Sequence, residues 1–351
     1  MGSAAKQVCK PPYADLGEDQ RLAPIFASGV APTRLAWKRR RADLFQQVSR
    51  VLGQPSFRSF EHAVDIVDHW EQPACSATLV CQATGPKTRQ LLLKLEPRGA
   101  SRSRRPGAIV PFYHPDSMAG FNLKERTPIA EDRIIQFGRH LVQQGYVVVC
   151  TEAFPYNTAP EPQNNEGFAW WRAGTDILLA ENPLWTGMAK LAWDTSLAVD
   201  YLLSQERIDT ARIVCIGHSL GGKMAFYTGA LDERIKAVIG SDFGMGFGFT
   251  NWDAPWYLGD RIHHPDFPWA HQHVLALMAP RAFLLIGGEA DRPASWQYLN
   301  AVKPVYQLFD RVEALGFFDH ASGHRPTETA VRLAYRWLAE QFDLPEQPWD
   351  L

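Results

Sequence analysis

Gly217-His218-Ser219-Leu220-Gly221-Gly222 stands between the apolar run 212–216 and a helical pattern. A serine in the spacing G-x-S-x-G, on a sharp turn from strand to helix, carries its hydroxyl clear of the backbone. Such a turn is tight enough that neighbouring residues must lack a Cβ, which Gly217 and Gly221 satisfy. A serine hydroxyl alone is a weak nucleophile at neutral pH. It needs a base to take its proton, and that base needs an acid to orient it.

In a strand–turn–helix arrangement of this kind the partners follow in the order serine, acid, histidine, on loops after later strands. The loop Gly287-Gly288-Glu289-Ala290-Asp291-Arg292 offers two acids. Asp291, beyond the Gly-Gly turn and able to reach back over the strand ends, is the predicted acid, with Glu289 as the second choice. After the run 315–319 come His320 and His324. His324 follows a glycine and precedes a helix, a loop-tip position suited to reaching Ser219, whereas His320 ends the strand and reads as structural. The Leu220 N–H points to one side of an oxyanion. A second donor is expected from residues 113–116, where Pro115 has no N–H. That leaves Tyr113 or Asp116, and the Asp116 carboxylate would have to point away from the developing charge.

These side chains require a scaffold. The segments 76–82 and 90–96 read as a tightly joined antiparallel pair. An Arg-rich loop at 101–107 follows, then apolar runs at 108–112, 146–151, 212–216, 235–240, 282–286 and 315–319. Helical patterns at 131–144, 187–205, 220–230, 296–309 and 326–342 alternate with them. Continuous apolar strands between helices predict an α/β fold: about eight strands, mostly parallel, with helices on both faces and the site at the carboxyl ends. Residues 1–60 form a helical arm holding the run Lys38-Arg39-Arg40-Arg41, and 61–351 form the catalytic domain. The basic run reads as a solvated helix face.

A long aromatic-rich insertion spans 242–280, and connections of this length are usually functional. Eight of the twelve tryptophans lie between residues 170 and 296, close to the proposed nucleophile and acid in sequence. Trp296, Trp252 and Lys223 are the candidate substrate-binding residues, with Trp170 and Trp171 next. For each tryptophan an anchoring role in a hydrophobic cluster is an equal alternative, and Lys223 equally suits a solvated first turn. His263, His264, His271 and His273 have no carboxylate or Cys at a firm ligand spacing, so a polar loop rim is expected and no metal.

The chain of 351 residues carries a formal charge of −2, without the basic surplus of a nucleic-acid binder. No apolar stretch is long enough to span a membrane. The first thirty residues lack a continuous apolar core, so no signal peptide is expected. The five cysteines imply no disulfide framework, which predicts a reducing, cytoplasmic setting.

Across about residues 65–345 the chain resembles α/β-hydrolases of the dienelactone hydrolase and acetyl xylan esterase-like group. The residues carrying the match are 217–223, the loop 287–291 and Gly323-His324, with GYVVVCTEAF, GALDERIKAVIGSD and APRAFLLIGGEAD. Lys223 and HVLALMAPRAFLL also resemble glucuronoyl esterases. The resemblance implies a serine hydrolase of small-molecule or carbohydrate carboxylic esters, with no cofactor. Two departures stand out: dienelactone hydrolases proper use cysteine where Ser219 stands, and many relatives have His-Gly at His114-Pro115. A peptidase of the prolyl oligopeptidase kind is the alternative, but 60 residues cannot build its β-propeller. A non-catalytic protein on the same fold is the other. The oligomeric state is not legible in the sequence.

Overall fold

The computed structural model describes residues 2–99 and 103–351. Within the expected Arg-rich loop, residues 101 and 102 lie outside the described residues. One nine-stranded sheet organises the chain: β1 Val64–Glu71, β2 Cys75–Ala83, β3 Arg89–Pro97, β4 Arg105–Pro111, β5 Val147–Thr151, β6 Ile208–His218, β7 Ala237–Ser241, β8 Ala282–Gly287 and β9 Leu315–Asp319. Their order is β1-β2-β3-β5-β4-β6-β7-β8-β9. The first three strands pair antiparallel, and β3 joins β5 antiparallel. All pairings from β5 onward through β4, β6, β7, β8 and β9 are parallel. The antiparallel edge is thus as expected, with one more strand than predicted. The extra strand is β1, which carries little sequence signal because most of its residues are exposed and Asp65 and Asp68 interrupt its apolar pattern.

Every residue of β5, β7 and β8 is buried. A strand with no exposed side needs cover on both faces, which explains the unbroken apolar runs. The helices supplying the cover are α1 Ala4–Val8, α2 Arg34–Leu52, α3 Pro115–Ala119, α4 Phe137–Gln143, α5 Ala169–Glu181, α6 Gly187–Leu203, α7 Leu220–Leu231, α8 His271–Ala276, α9 Ser295–Gln307 and α10 Glu328–Phe342. α4 packs on β3 and β5, α6 and α7 on the central strands, and α10 on β7 and β8. α5 was not foreseen; it has no side-chain N-cap and carries Gly174 inside.

α1 and α2 are packed into the same core. α1 seats Val8 against Gly316 of β9, and the Glu340 carboxylate accepts the Ala4 and Ala5 N–H groups. α2 buries Trp37, Leu44, Val48 and Leu52 and packs on α8. The basic run is partly drawn inward. Arg40 donates to the Ile25 carbonyl, and Arg41 donates to the Leu277 carbonyl and pairs with Glu233 at 2.6 Å. None of the five cysteines is paired.

Candidate active site

β6 delivers His218 and stops, and α7 begins at Leu220. Between them Ser219 takes φ 54°, ψ −115°, a left-handed conformation that costs a non-glycine residue energy and persists where the surroundings enforce it. The packing does enforce it. A Cβ on Gly217 would fall 2.1 Å from the Gly221 carbonyl oxygen, and one on Gly221 would fall 2.0 Å from that of Pro111. The elbow is therefore pressed against the end of β4. Its backbone is tied to β7 by the Ser219 N–H donating to the Ser241 carbonyl at 2.7 Å.

His324 sits half-buried on the loop after β9, as expected. Its acid partner is different from the prediction. His324 Nδ1 lies 2.5 Å from Oδ2 of Asp242, the residue that follows β7. Asp291, the predicted acid, forms no hydrogen bond or ion pair with His324. Its buried carboxylate accepts the N–H groups of Gly244 and Met245 at 2.8 and 2.6 Å and the Ser295 hydroxyl at 2.9 Å. Asp242 in turn accepts the N–H groups of Gly288, Glu289, Ala290 and Asp291. Each loop thus buries its aspartate in the backbone of the other. This exchange turns Asp242 toward His324 and Asp291 away from it. Glu289, the second choice, contributes its N–H to this clasp.

The electrostatics of the two carboxylates differ accordingly. Burial works against the Asp242 charge, but His324 and the donated N–H groups outweigh it and hold its pKa below the usual carboxylate range. For Asp291 burial wins, and its pKa is pushed up to about 6. The carboxylate that keeps its charge to lower pH, and that touches His324, is the one suited to hold an imidazolium.

Leu220 opens α7, so its N–H has no partner within the helix. The second expected donor lies on the segment that the Pro111–Gly221 contact brings alongside. Tyr113 is half-buried there, and its carbonyl accepts the Ala153 N–H. The Asp116 carboxylate folds onto the Ser117 N–H at 2.7 Å, at the start of α3. Ser219 Oγ and the His324 ring are not hydrogen-bonded to one another. Such contacts commonly close only around substrate.

The three predicted substrate-binding side chains lie inside the protein. Trp296 is buried against Phe317. Trp252 is 0% exposed and donates from Nε1 to the Gly244 carbonyl at 2.7 Å. Lys223 is buried as well. Its Nζ donates to Thr250 Oγ1 and Asn251 Oδ1 at 2.8 and 3.1 Å, over the rings of Trp252 and Tyr257 at 4.1 and 4.4 Å. Burial pushes its pKa down to about 7. The insertion's tryptophans are the hydrophobic anchor that sequence left as the equal alternative. Phe168, at the start of α5, is 47% exposed and stacks on Trp256 at 4.9 Å. Trp171 is buried beside Trp256, and Trp170 donates to the Ala159 carbonyl. His271 is buried between Tyr227 and the Met245 carbonyl, while His263 and His264 are exposed beside Asp253 and Asp266. Among the described residues no group of His, Cys, Asp and Glu is arranged to hold a metal ion.

Comparison with known proteins agrees with this architecture. A family model described as glucuronyl esterase, fungi, matches residues 180–264, a stretch that includes Ser219 and Asp242. The glucuronoyl esterase of Solibacter usitatus superposes with a TM-score of 0.68 at 19% identity, covering 96% of this chain and 99% of that one. The chain has the α/β-hydrolase fold. In sequence, YtaP of Bacillus subtilis is 27% identical over 217 residues, 58% of this chain and 68% of its own length. A carbohydrate esterase from an unknown prokaryotic organism is 28% identical over 198 residues, 50% of this chain. The match spans 45% of that esterase's length. Within this hydrolase fold no helix of the described residues is long and apolar enough to cross a membrane.

Proposed function

We propose that this chain hydrolyses carboxylic esters of carbohydrates, uronoyl esters included, through an acyl-enzyme on Ser219. The observation that carries the reading is the Asp242–His324 pair at 2.5 Å, its imidazole 4.6 Å from the ring of His218, the residue before a serine held in a strained turn. The matches to a glucuronyl esterase family and to a carbohydrate esterase support the substrate class.

Ser219 Oγ attacks the ester carbonyl carbon while His324 takes its proton, and Asp242 holds the imidazolium that results. The Leu220 N–H and a second N–H from Tyr113 or Asp116 bind the tetrahedral oxyanion. Collapse expels the alcohol, which leaves with the proton from His324. Water then attacks the acyl carbon, giving up a proton to His324, and the carboxylic acid departs with Ser219 restored.

A panel of p-nitrophenyl acetate, an acetylated sugar, methyl glucuronate and a peptide tests the reading. Carbohydrate esters should be cleaved and the peptide left intact. Ser219→Ala should lower kcat by a factor on the order of 10⁶. Ester hydrolysis that survives this substitution, or peptide cleavage that exceeds it, would overturn the proposal.

A further inference from the structure

Each member of the proposed triad has a chain neighbour that belongs to a second, parallel array. His218 precedes Ser219, Ser241 precedes Asp242, and Arg325 follows His324. These three are hydrogen-bonded in a row. His218 Nδ1 lies 3.1 Å from Ser241 Oγ, and His218 Nε2 lies 2.8 Å from an Arg325 guanidinium nitrogen. Arg325 continues the row outward, its Nε and second terminal nitrogen meeting the two oxygens of Asp132 at 2.9 and 2.7 Å. The His218 and His324 rings lie 4.6 Å apart, centroid to centroid.

We infer that Arg325 is a positioning residue, which sets the His324 loop against the elbow by gripping His218 on one side and Asp132 on the other. This rests on the function proposed above. A guanidinium only donates, so His218 Nε2 must accept and its proton must sit on Nδ1, donating to Ser241 Oγ. Neutral His218 is the state that permits this. Burial and the neighbouring charges of His324 and Arg325 push its pKa down to about 3, so the acceptor persists at neutral pH. The three strand ends after β6, β7 and β9 are thereby fixed to one another by side chains that are not themselves reactive. Asp132 lies outside them, between α3 and α4, and completes the fork with a bidentate carboxylate. Lysine could not replace the fork, because a single ammonium cannot bridge His218 and both oxygens of Asp132 in one plane.

Misplacing a reacting group by about 1 Å costs about 10²-fold in rate. Arg325→Ala should therefore lower kcat on a carbohydrate ester about 10²-fold with KM little changed. Added methylguanidinium should restore part of kcat saturably, and Arg325→Lys should stay close to Arg325→Ala. Asp132→Ala should give a smaller kcat loss, and the double variant should be no worse than Arg325→Ala alone, as for residues acting through one array. An unchanged kcat, a rise confined to KM, or losses that multiply in the double variant would each overturn the inference. Ser219→Ala, run alongside, separates the two readings: activity surviving in it would defeat the proposed function and with it the role of Arg325, whereas activity lost in Ser219→Ala but kept in Arg325→Ala would defeat the role of Arg325 alone.

Discussion

An aspartate bonded to the Nδ1 of a histidine fixes the ring's tautomer and stabilises it once protonated, and at the acid position of a triad asparagine cannot do either. Asp242→Asn is accordingly expected to lower kcat about 10⁴-fold. Asp291→Asn acts through the Ser295 hydroxyl and through the Gly244 and Met245 N–H groups that shape the Asp242 loop, and should cost about tenfold. Steady-state kinetics on one ester substrate checks both, and equal losses would refute the assignment. The positions of Ser219 on the elbow and His324 on the loop after β9 were legible because each carries a local pattern, G-x-S-x-G and a preceding glycine. The carboxylate partner of His324 was not. Adjacent strands β7 and β8 each end in a loop with an aspartate, and only the crossing of their hydrogen bonds decides which one faces His324. Lys223 offers a second test. Its pKa is lowered to about 7 in the fold, whereas the unfolded chain keeps the proton to higher pH. Wild-type stability should rise between pH 7 and pH 10 relative to Lys223→Met, because the unfolded state binds more protons there. Chemical denaturation across that range checks it, and parallel curves would contradict it.

The elbow is an element-scale device. It exists because β6, α7 and the end of β4 approach closely enough to exclude a Cβ at Gly217 and Gly221. Gly221→Ala would drive a methyl into the Pro111 carbonyl, so a loss of about 3 kcal/mol is expected together with loss of hydrolysis. Thermal unfolding measures the first and ester turnover the second; an alanine variant of wild-type stability would contradict the packing argument. Strands with unbroken apolar runs were readable from sequence, since burial on both faces leaves no polar alternation to confuse them. β1 and α5 were not, because an exposed edge strand and an uncapped helix carry weak signals. The aromatic surplus was visible, but its direction was not: Trp252 and Trp296 point inward, while Phe168 is 47% exposed.

At the scale of the whole molecule, α1 and α2 share the core of the sheet. Trp37 is 2% exposed, and α2 leans on α8 in the insertion that also carries His271 and the Lys223 platform. Trp37→Ala should cost about 3–5 kcal/mol and shift a single unfolding transition. A separate arm would instead melt alone and leave the main transition where it was; calorimetry distinguishes the two. The charge balance and composition bounded the chain to an enzyme-sized domain, whereas the docking of its first 60 residues depends on contacts far apart in sequence, such as Glu340 with the start of α1.

The central claim is a serine nucleophile activated by His324 with Asp242. Labelling with a fluorophosphonate probe, followed by mapping of the modified peptide, tests it most directly. The label should sit on Ser219, at a rate greatly reduced in Asp242→Asn and only about tenfold lower in Asp291→Asn. A label on another residue, or a rate that falls with Asp291 rather than Asp242, would contradict it.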